Sequence, residues 1–163
     1  MPDPTPDAPP DTARDGRMSY AIFQLARAHR AHAAAMLRAL NLHPGQELLL
    51  MQLFDHDHRT QADLLDHVGL DHSTVSKSLR RMQEAGLLTR EPAPHDRRVM
   101  VVHLTDAGRA LREPVAEMWR TLEEISVRDL SADQVEQFTA WARTVEKSLR
   151  DHSRQAPAGT PAE

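Results

Sequence analysis

Apolar side chains recur at helical spacing along most of the chain. Met18, Ile22, Leu25, His29, Ala33, Met36 and Leu40 follow one another by three or four residues, one face of a long helix over 17–42. Pro44-Gly45-Gln46 precedes a near-continuous apolar run from Leu48 to Phe54. Pro44 suits a first helical turn, and a helix apolar on most sides is expected to be buried. Thr60 then stands where a cap is needed before Ala62, Leu64, Leu65 and Val68. Gly69-Leu70 makes a turn, and Asp71 or Ser73 caps a further helix burying Val75, Leu79 and Met82 and stopping at Gly86.

The period changes after Gly86. Leu87 to Arg90 and Val99 to Leu104 are rich in aliphatic and β-branched residues, and Pro92 and Pro94 lie between them, which predicts a hairpin. Thr105 caps a helix carrying Leu111, Val115, Met118, Leu122 and Ile125 on one face, with Pro114 expected to bend it. Ser131 to Gln134 reads as a capping box for a last helix with Val135, Phe138, Trp141, Ala142 and Val145.

The ends have no apolar period. Residues 1–16 and 151–163 mix Pro, Asp, Thr and Ala, too polar to offset the entropy of ordering, so both are expected to be disordered tails. Met1-Pro2-Asp3-Pro4 does not read as a secretory leader, and no run of about 18 apolar residues spans a membrane. A soluble cytoplasmic protein is the expectation. The absence of cysteine excludes disulfides, thiolate metal sites and thiol redox sensing.

The expected fold is mainly α with a small two- or three-stranded β wing: a winged helix-turn-helix region over 43–104 between helical dimerisation segments at 17–42 and 105–150. A second helix of this kind enters the major groove of double-stranded DNA while flanking elements hold phosphates. Burial of Val75, Leu79 and Met82 leaves Ser73, Thr74, Ser76, Lys77, Arg80 and Arg81 off the core face. Arg97 and Arg98 stand at the hairpin tip, where an arginine can enter the minor groove. Asp96 beside them is read as a turn-stabilising side chain that orients an arginine. The net charge of −4 does not oppose this, because it is an average. Asp3, Asp7, Asp11 and Asp15 against Arg14 leave residues 1–16 at −3, whereas residues 71–98 stand at +2. A polyanion responds to the local field.

From Leu42 to Leu111 the chain resembles the MarR (multiple antibiotic resistance regulator) family. Leu42, Pro44, Gln46, Leu50 and Leu53 match its second helix. Thr60, Leu64, Gly69-Leu70, Ser73-Thr74-Val75 and Glu84-x-Gly86-Leu87 match its helix-turn-helix. Asp96-Arg97-Arg98 and Leu104-Thr105-x-x-Gly108 match its wing and fifth helix. The resemblance implies a homodimer interlocked through the first, fifth and sixth helices, two winged lobes on a pseudo-palindrome, and a small-molecule effector bound between dimerisation helices and lobe. By position, Ser73 to Gln83 would be the recognition helix and Arg98 the minor-groove arginine, with Arg97 on phosphate. Three positions depart from the pattern: His43 replaces a hydroxyl cap, Arg80 replaces a commonly acidic residue, and the peroxide-sensing cysteine is absent.

Histidine is the remaining candidate chemistry, with ten in the chain. His29 and His32 border the first helix's apolar stripe and are candidates, with Trp119, for lining an effector pocket that holds a phenolate or carboxylate. Asp55-His56-Asp57-His58 offers four potential ligands, but adjacent residues seldom converge on one ion, so no metal or cofactor is expected. A histidine/aspartate metal-dependent hydrolase is the rival class, disfavoured because no HExxH, Gly-rich phosphate loop or nucleophile elbow is present. A non-specific architectural DNA-binding protein is the third reading.

Overall fold

The computed structural model describes residues 10–155, so the expected disorder of 1–9 and 156–163 lies outside the described residues. Helices α1 (Arg17–Ala39) and α2 (Gln46–Asp55) lead to strand β1 (Arg59–Thr60), α3 (Gln61–Val68) and α4 (His72–Glu84). Strands β2 (Leu88–Pro92) and β3 (Met100–Leu104) follow, then α5 (Asp106–Ala110), α6 (Arg112–Ser126) and α7 (Ala132–Gln155). The chain divides after Leu122 into two compact units.

Four helix starts are made by local side chains. The Thr60 hydroxyl accepts from Asp63 N while the Asp63 carboxylate accepts from Thr60 N, a reciprocal capping box. Asp71 caps α4, Thr105 caps α5, and Ser131 with Gln134 forms the second box before α7. Helix α2 begins differently from expectation. Pro44 lies ahead of it, and Gly45 is the cap residue, left-handed at φ 93°. His43, without a cap oxygen, is compensated from inside the helix: Gln46 Oε1 accepts from His43 N and Glu47 Oε2 from Gly45 N.

Those two polar side chains are buried. Burial raises the Glu47 carboxyl above its ordinary value of 4.5 despite the amide bonds it accepts. The folded chain therefore holds this proton more tightly than the unfolded one, and stability falls as pH rises through the ordinary value towards the raised one. Glu47→Gln keeps an acceptor for Gly45 N and removes the charge. Thermal melts should show the variant more stable than the parent at neutral pH, with the advantage vanishing below pH 4.5.

The first unit packs around one core. Leu49, Leu50 and Leu53 of α2, Leu64 of α3 and Val75, Leu79 and Met82 of α4 are sealed beneath Leu88, Val102 and Leu104 of the sheet, with Val115 and Met118 of α6. The sheet order is β1-β3-β2, all antiparallel, with Arg59 opposite Val102 and Leu88 opposite Leu104. From α1 only Leu37 is buried in that core. Met18, Ile22, Phe23 and Leu25, towards its start, are exposed.

Three further features differ from the sequence-based expectation. Asp11–Gly16, placed in the disordered tail, forms a short 3₁₀ helix, because a bond from Ala13 N to Pro10 O and the Arg14–Asp11 pair need only local contacts. The helix after Thr105 is broken instead of bent. Pro114 has no N–H for the Ala110 carbonyl, and at Leu111 the chain closes a tighter turn onto Gly108 O and restarts as α6. Helix α7 runs to Gln155, five residues into the expected tail.

In the second unit, a turn through Val127 and Leu130 leads into α7. Phe138, Trp141 and Leu149 on α7 are exposed, as are Ile125 and Leu130 before it.

Candidate nucleic-acid interface

Helix α4 is held at both ends. At its start the Asp71 carboxylate accepts from Thr74 N at 2.9 Å, from the Thr74 hydroxyl at 2.6 Å and from the Ser73 hydroxyl at 2.5 Å. These three donors hold its carboxyl far below the usual carboxylate range, with the Ser73 hydroxyl the largest contributor. At its end Gly86 turns the chain at φ 72°, and Leu87 N returns to Met82 O. The helix buries Val75, Leu79 and Met82 and shows its other face.

On that face Ser73, Lys77, Arg80 and Arg81 are exposed, while Thr74 and Ser76 are half-buried. The cap changes what the hydroxyls can do. The Ser73 and Thr74 protons are committed to Asp71, so these oxygens present acceptors outward, suited to the amino groups of adenine or cytosine. Arg80, the position that departs from the family pattern, pairs with Glu84 at 3.7 Å one turn on. Lys77 and Arg81 make no ion pair among the described residues. Arg90, which the sequence reading passed over, is tied by Nε to Gln83 Oε1 at 2.6 Å and links β2 to the end of α4.

The hairpin tip is closed by Ala93 N to Val99 O and Val99 N to Asp96 O. Asp96 Oδ1 accepts from Arg98 N at 3.0 Å and from its Nε at 3.4 Å, leaving the terminal guanidinium nitrogens outward. Arg97 is exposed beside it. Two cations thus stand on a loop whose backbone is fixed by its own bonds, a geometry suited to a narrow anionic groove.

Two anchors set the wing against the rest of the first unit. Asp57 Oδ1 accepts from Leu104 N at 3.0 Å and its Oδ2 from Arg109 at 3.1 Å, across the chain from β3 to α5. The sequence presented Asp57 as a candidate metal ligand; its oxygens are occupied by these donors and by His58 N. Among the described residues no group of three or more His, Asp or Glu side chains converges. The second anchor is Thr105. Its hydroxyl donates to Gly86 O at 2.6 Å and accepts from Gly108 N at 3.1 Å, while its own N–H reaches Leu87 O. Neither anchor is periodic in sequence, which is why pattern reading did not find their partners. Asp57→Ala removes three acceptor contacts at once, and chemical denaturation should show a loss of about 1–3 kcal/mol.

The candidate effector residues are dispersed. His29 and His32 are exposed on α1, and Trp119 is half-buried on α6, packed against the core. No hydrogen bond or ring contact joins either histidine to Trp119 among the described residues. Trp119 Nε1 is buried with no hydrogen-bond partner there.

The MarR family profile matches residues 32–99, from the second half of α1 to the wing. Among curated proteins the chain is similar to the organic hydroperoxide resistance transcriptional regulator of Bacillus subtilis (strain 168). The two are 24% identical over 135 residues, 83% of this chain and 90% of that protein. It is also similar to the HTH-type transcriptional repressor NicR of Pseudomonas putida, 32% identical over 89 residues, 55% of this chain and 56% of that protein. Among solved structures, MarR itself superposes with a TM-score of 0.69 at 25% identity, over 82% of this chain and 98% of that one. The MepR–DNA complex of S. aureus gives 0.74 at 25% identity, over 80% and 96%. No helix among the described residues is long and apolar enough to cross a membrane. The profile runs from the second half of α1 through α4 and β2 to the wing loop, and over that stretch the chain is similar to the MarR family, whose winged-helix fold it shares with the solved regulators.

Proposed function

We propose that this chain is a homodimeric, cytoplasmic, sequence-specific DNA-binding repressor that leaves a pseudo-palindromic operator when a small-molecule effector binds, an aromatic one among the candidates. The observation that carries DNA binding is the shared presentation of Lys77, Arg80 and Arg81 on α4 with Arg97 and Arg98 on the wing, none of them buried. Ser73, Thr74 and Ser76 supply polar contacts within the same reading helix. A relative solved in complex with DNA shares the fold at 25% identity, and NicR is named a repressor. Repression requires only that the bound dimer occlude polymerase.

The dimer is argued from unpartnered apolar area. Met18, Ile22, Phe23 and Leu25 on α1, and Phe138, Trp141 and Leu149 on α7, are 40% to 64% exposed in the single chain. Apolar rows of this size mark an interface. Sedimentation at micromolar protein should give twice the chain mass, and Trp141→Glu should shift it towards monomer; a wild-type monomer refutes the dimer.

For the effector, the unpartnered Trp119 Nε1 and the exposed His29 and His32 are the candidate donors. A ligand that prefers the DNA-free state must weaken DNA binding by the same factor that DNA weakens it. With no cysteine, the chain has no thiol through which to sense oxidants.

Footprinting on the DNA flanking its own gene tests the assignment. Protection of one short palindrome, with a Kd of roughly 10⁻⁸ M or tighter at physiological salt, is expected. Broad coverage without a preferred site would indicate an architectural protein instead.

A further inference from the structure

Unpaired charge in this chain is segregated by sign. Helix α1 carries Arg17, Arg27, Arg30 and Arg38 and no carboxylate over its 23 residues. None of the four makes an ion pair among the described residues. From the last turn of α6 to the second turn of α7, residues 123–136 hold Glu123, Glu124, Asp129, Asp133 and Glu136 against Arg128 alone, a balance of −4. These carboxylates are exposed, and they too make no ion pair among the described residues. Other charges on the same helices are paired at short range, as Arg120 is with Glu113 and Glu117.

Local structure does not account for this placement. Asp133 suits the first turn of α7, where the helix dipole favours an anion. Glu123 and Glu124 stand in the last turn of α6, the end at which the dipole disfavours them, and that turn holds no basic residue. Both runs of charge also border uncovered apolar surface. Arg27 and Arg30 follow Phe23 by four and seven residues, so they share its side of α1, and Phe23 is exposed. Ile125 and Leu130 lie exposed within the anionic segment. An apolar centre with a charged rim is the make-up of a protein–protein contact, and here two such patches carry opposite sign.

We propose that this chain selects a second copy of itself by charge: Arg27 and Arg30 on α1 of one protomer face Glu123 and Glu124 of its partner, and the twofold axis repeats the contact. A twofold pair sets two different patches of one chain against each other twice, so opposite signs on a single chain make its surface self-complementary. The apolar rows supply area but fit any apolar helix. The charges reject a subunit whose corresponding patches carry the other sign. This inference rests on the homodimer reading above and names its pairing rule. A nucleic acid lying on α1 would satisfy the arginines, yet it would leave Phe23 uncovered and Glu123 and Glu124 without cations, so the second copy is the favoured occupant. A rim of exposed ion pairs is screened by salt, whereas apolar contact is not, so the dimer should dissociate more readily as salt rises.

Charge exchange in the full chain tests the rule. Arg27→Glu with Arg30→Glu makes both patches anionic, and Glu123→Lys with Glu124→Lys makes both cationic. In sedimentation, each of these variants alone should show a dimer Kd raised at least about tenfold over wild type. Native mass spectrometry of their equal mixture should show the heterodimer of the two as the main species. A chain carrying all four changes exchanges the signs, so it should return to a dimer and exclude wild-type subunits, a readout that stands even if one two-change variant fails to fold. Dimerisation of both two-change variants at the wild-type Kd overturns the charge rule and leaves the homodimer intact. Variants that stay monomeric on mixing, or a four-change chain that stays monomeric or mixes freely with wild type, place the two segments apart and overturn it as well. Loss of operator binding by Arg27→Glu with Arg30→Glu at an unchanged dimer Kd assigns α1 to the nucleic acid instead. A monomeric wild type removes the homodimer reading itself, and the pairing rule with it.

Discussion

Gly108→Ala should destabilise the fold more than any single change on the surface of the wing. A Cβ built at Gly108 falls 2.0 Å from the Leu87 carbonyl oxygen and 3.1 Å from Leu104 Cδ2. The first partner is backbone, so no side-chain rotation relieves the contact. That carbonyl also accepts from Thr105 N, and the Thr105 hydroxyl holds both Gly86 O and Gly108 N. Moving α5 away from Leu87 therefore breaks the cluster that joins the end of α4 to the start of α5. Overpacking of this kind costs about 3 kcal/mol when backbone must shift. For a chain of this size the melting temperature should fall by about 6–12 °C. Operator binding should weaken with it, because the displaced segment sets β2 against α4, the proposed recognition helix. A variant that melts within a degree of the parent refutes the close packing of α5 on Leu87.

Thr105 and Gly108 also show how far the sequence could be read. Caps are local: a hydroxyl or carboxylate reaches an amide three residues on, so Thr60, Asp71, Thr105 and Ser131 were legible at their positions. The apolar spacing of Val75, Leu79 and Met82 likewise needed only the helical period, and from it followed which face of α4 is free. What the pattern lacked was any partner far along the chain. Asp57 meets Leu104 and Arg109 across about fifty residues, and nothing in Asp55-His56-Asp57-His58 distinguishes that anchor from a metal ligand. His58 adopts φ 67°, a left-handed turn that a glycine would have advertised and a histidine does not. The two-residue strand β1 is too short to carry a period, and it exists because β3 offers Val101 and Val102 as partners. The stripe on α1 was read correctly as apolar, but its first half does not enter the core of its own chain. A pattern of apolar positions states that a surface will be covered and leaves open by what.

Arg98→Ala should produce the largest loss of DNA binding with the smallest change in the protein. Its side chain is 92% exposed, and its ion pair with Asp96 is a surface contact of little value to stability. Melting temperature and dimer mass should therefore stay at parental values. Operator affinity should fall by about 1–3 kcal/mol, roughly five- to 150-fold, and the salt dependence of binding should lose about one unit of slope. Arg98→Lys separates charge from shape: it keeps the cation and the slope but loses the planar fork, so affinity should be only partly restored. The role of Asp96 can be resolved the same way. Its Oδ1 holds Arg98 N in the turn, yet its charge opposes the phosphates. Asp96→Ala loses the anchor and should weaken binding. Asp96→Asn keeps an acceptor oxygen and removes the charge, so it should bind at least as tightly as the parent, with a steeper approach rate at low salt. Gel shifts across a salt series read all four variants. If Arg98→Ala binds the operator as the parent does, the wing tip is not a DNA contact, and the cationic face of α4 carries recognition alone.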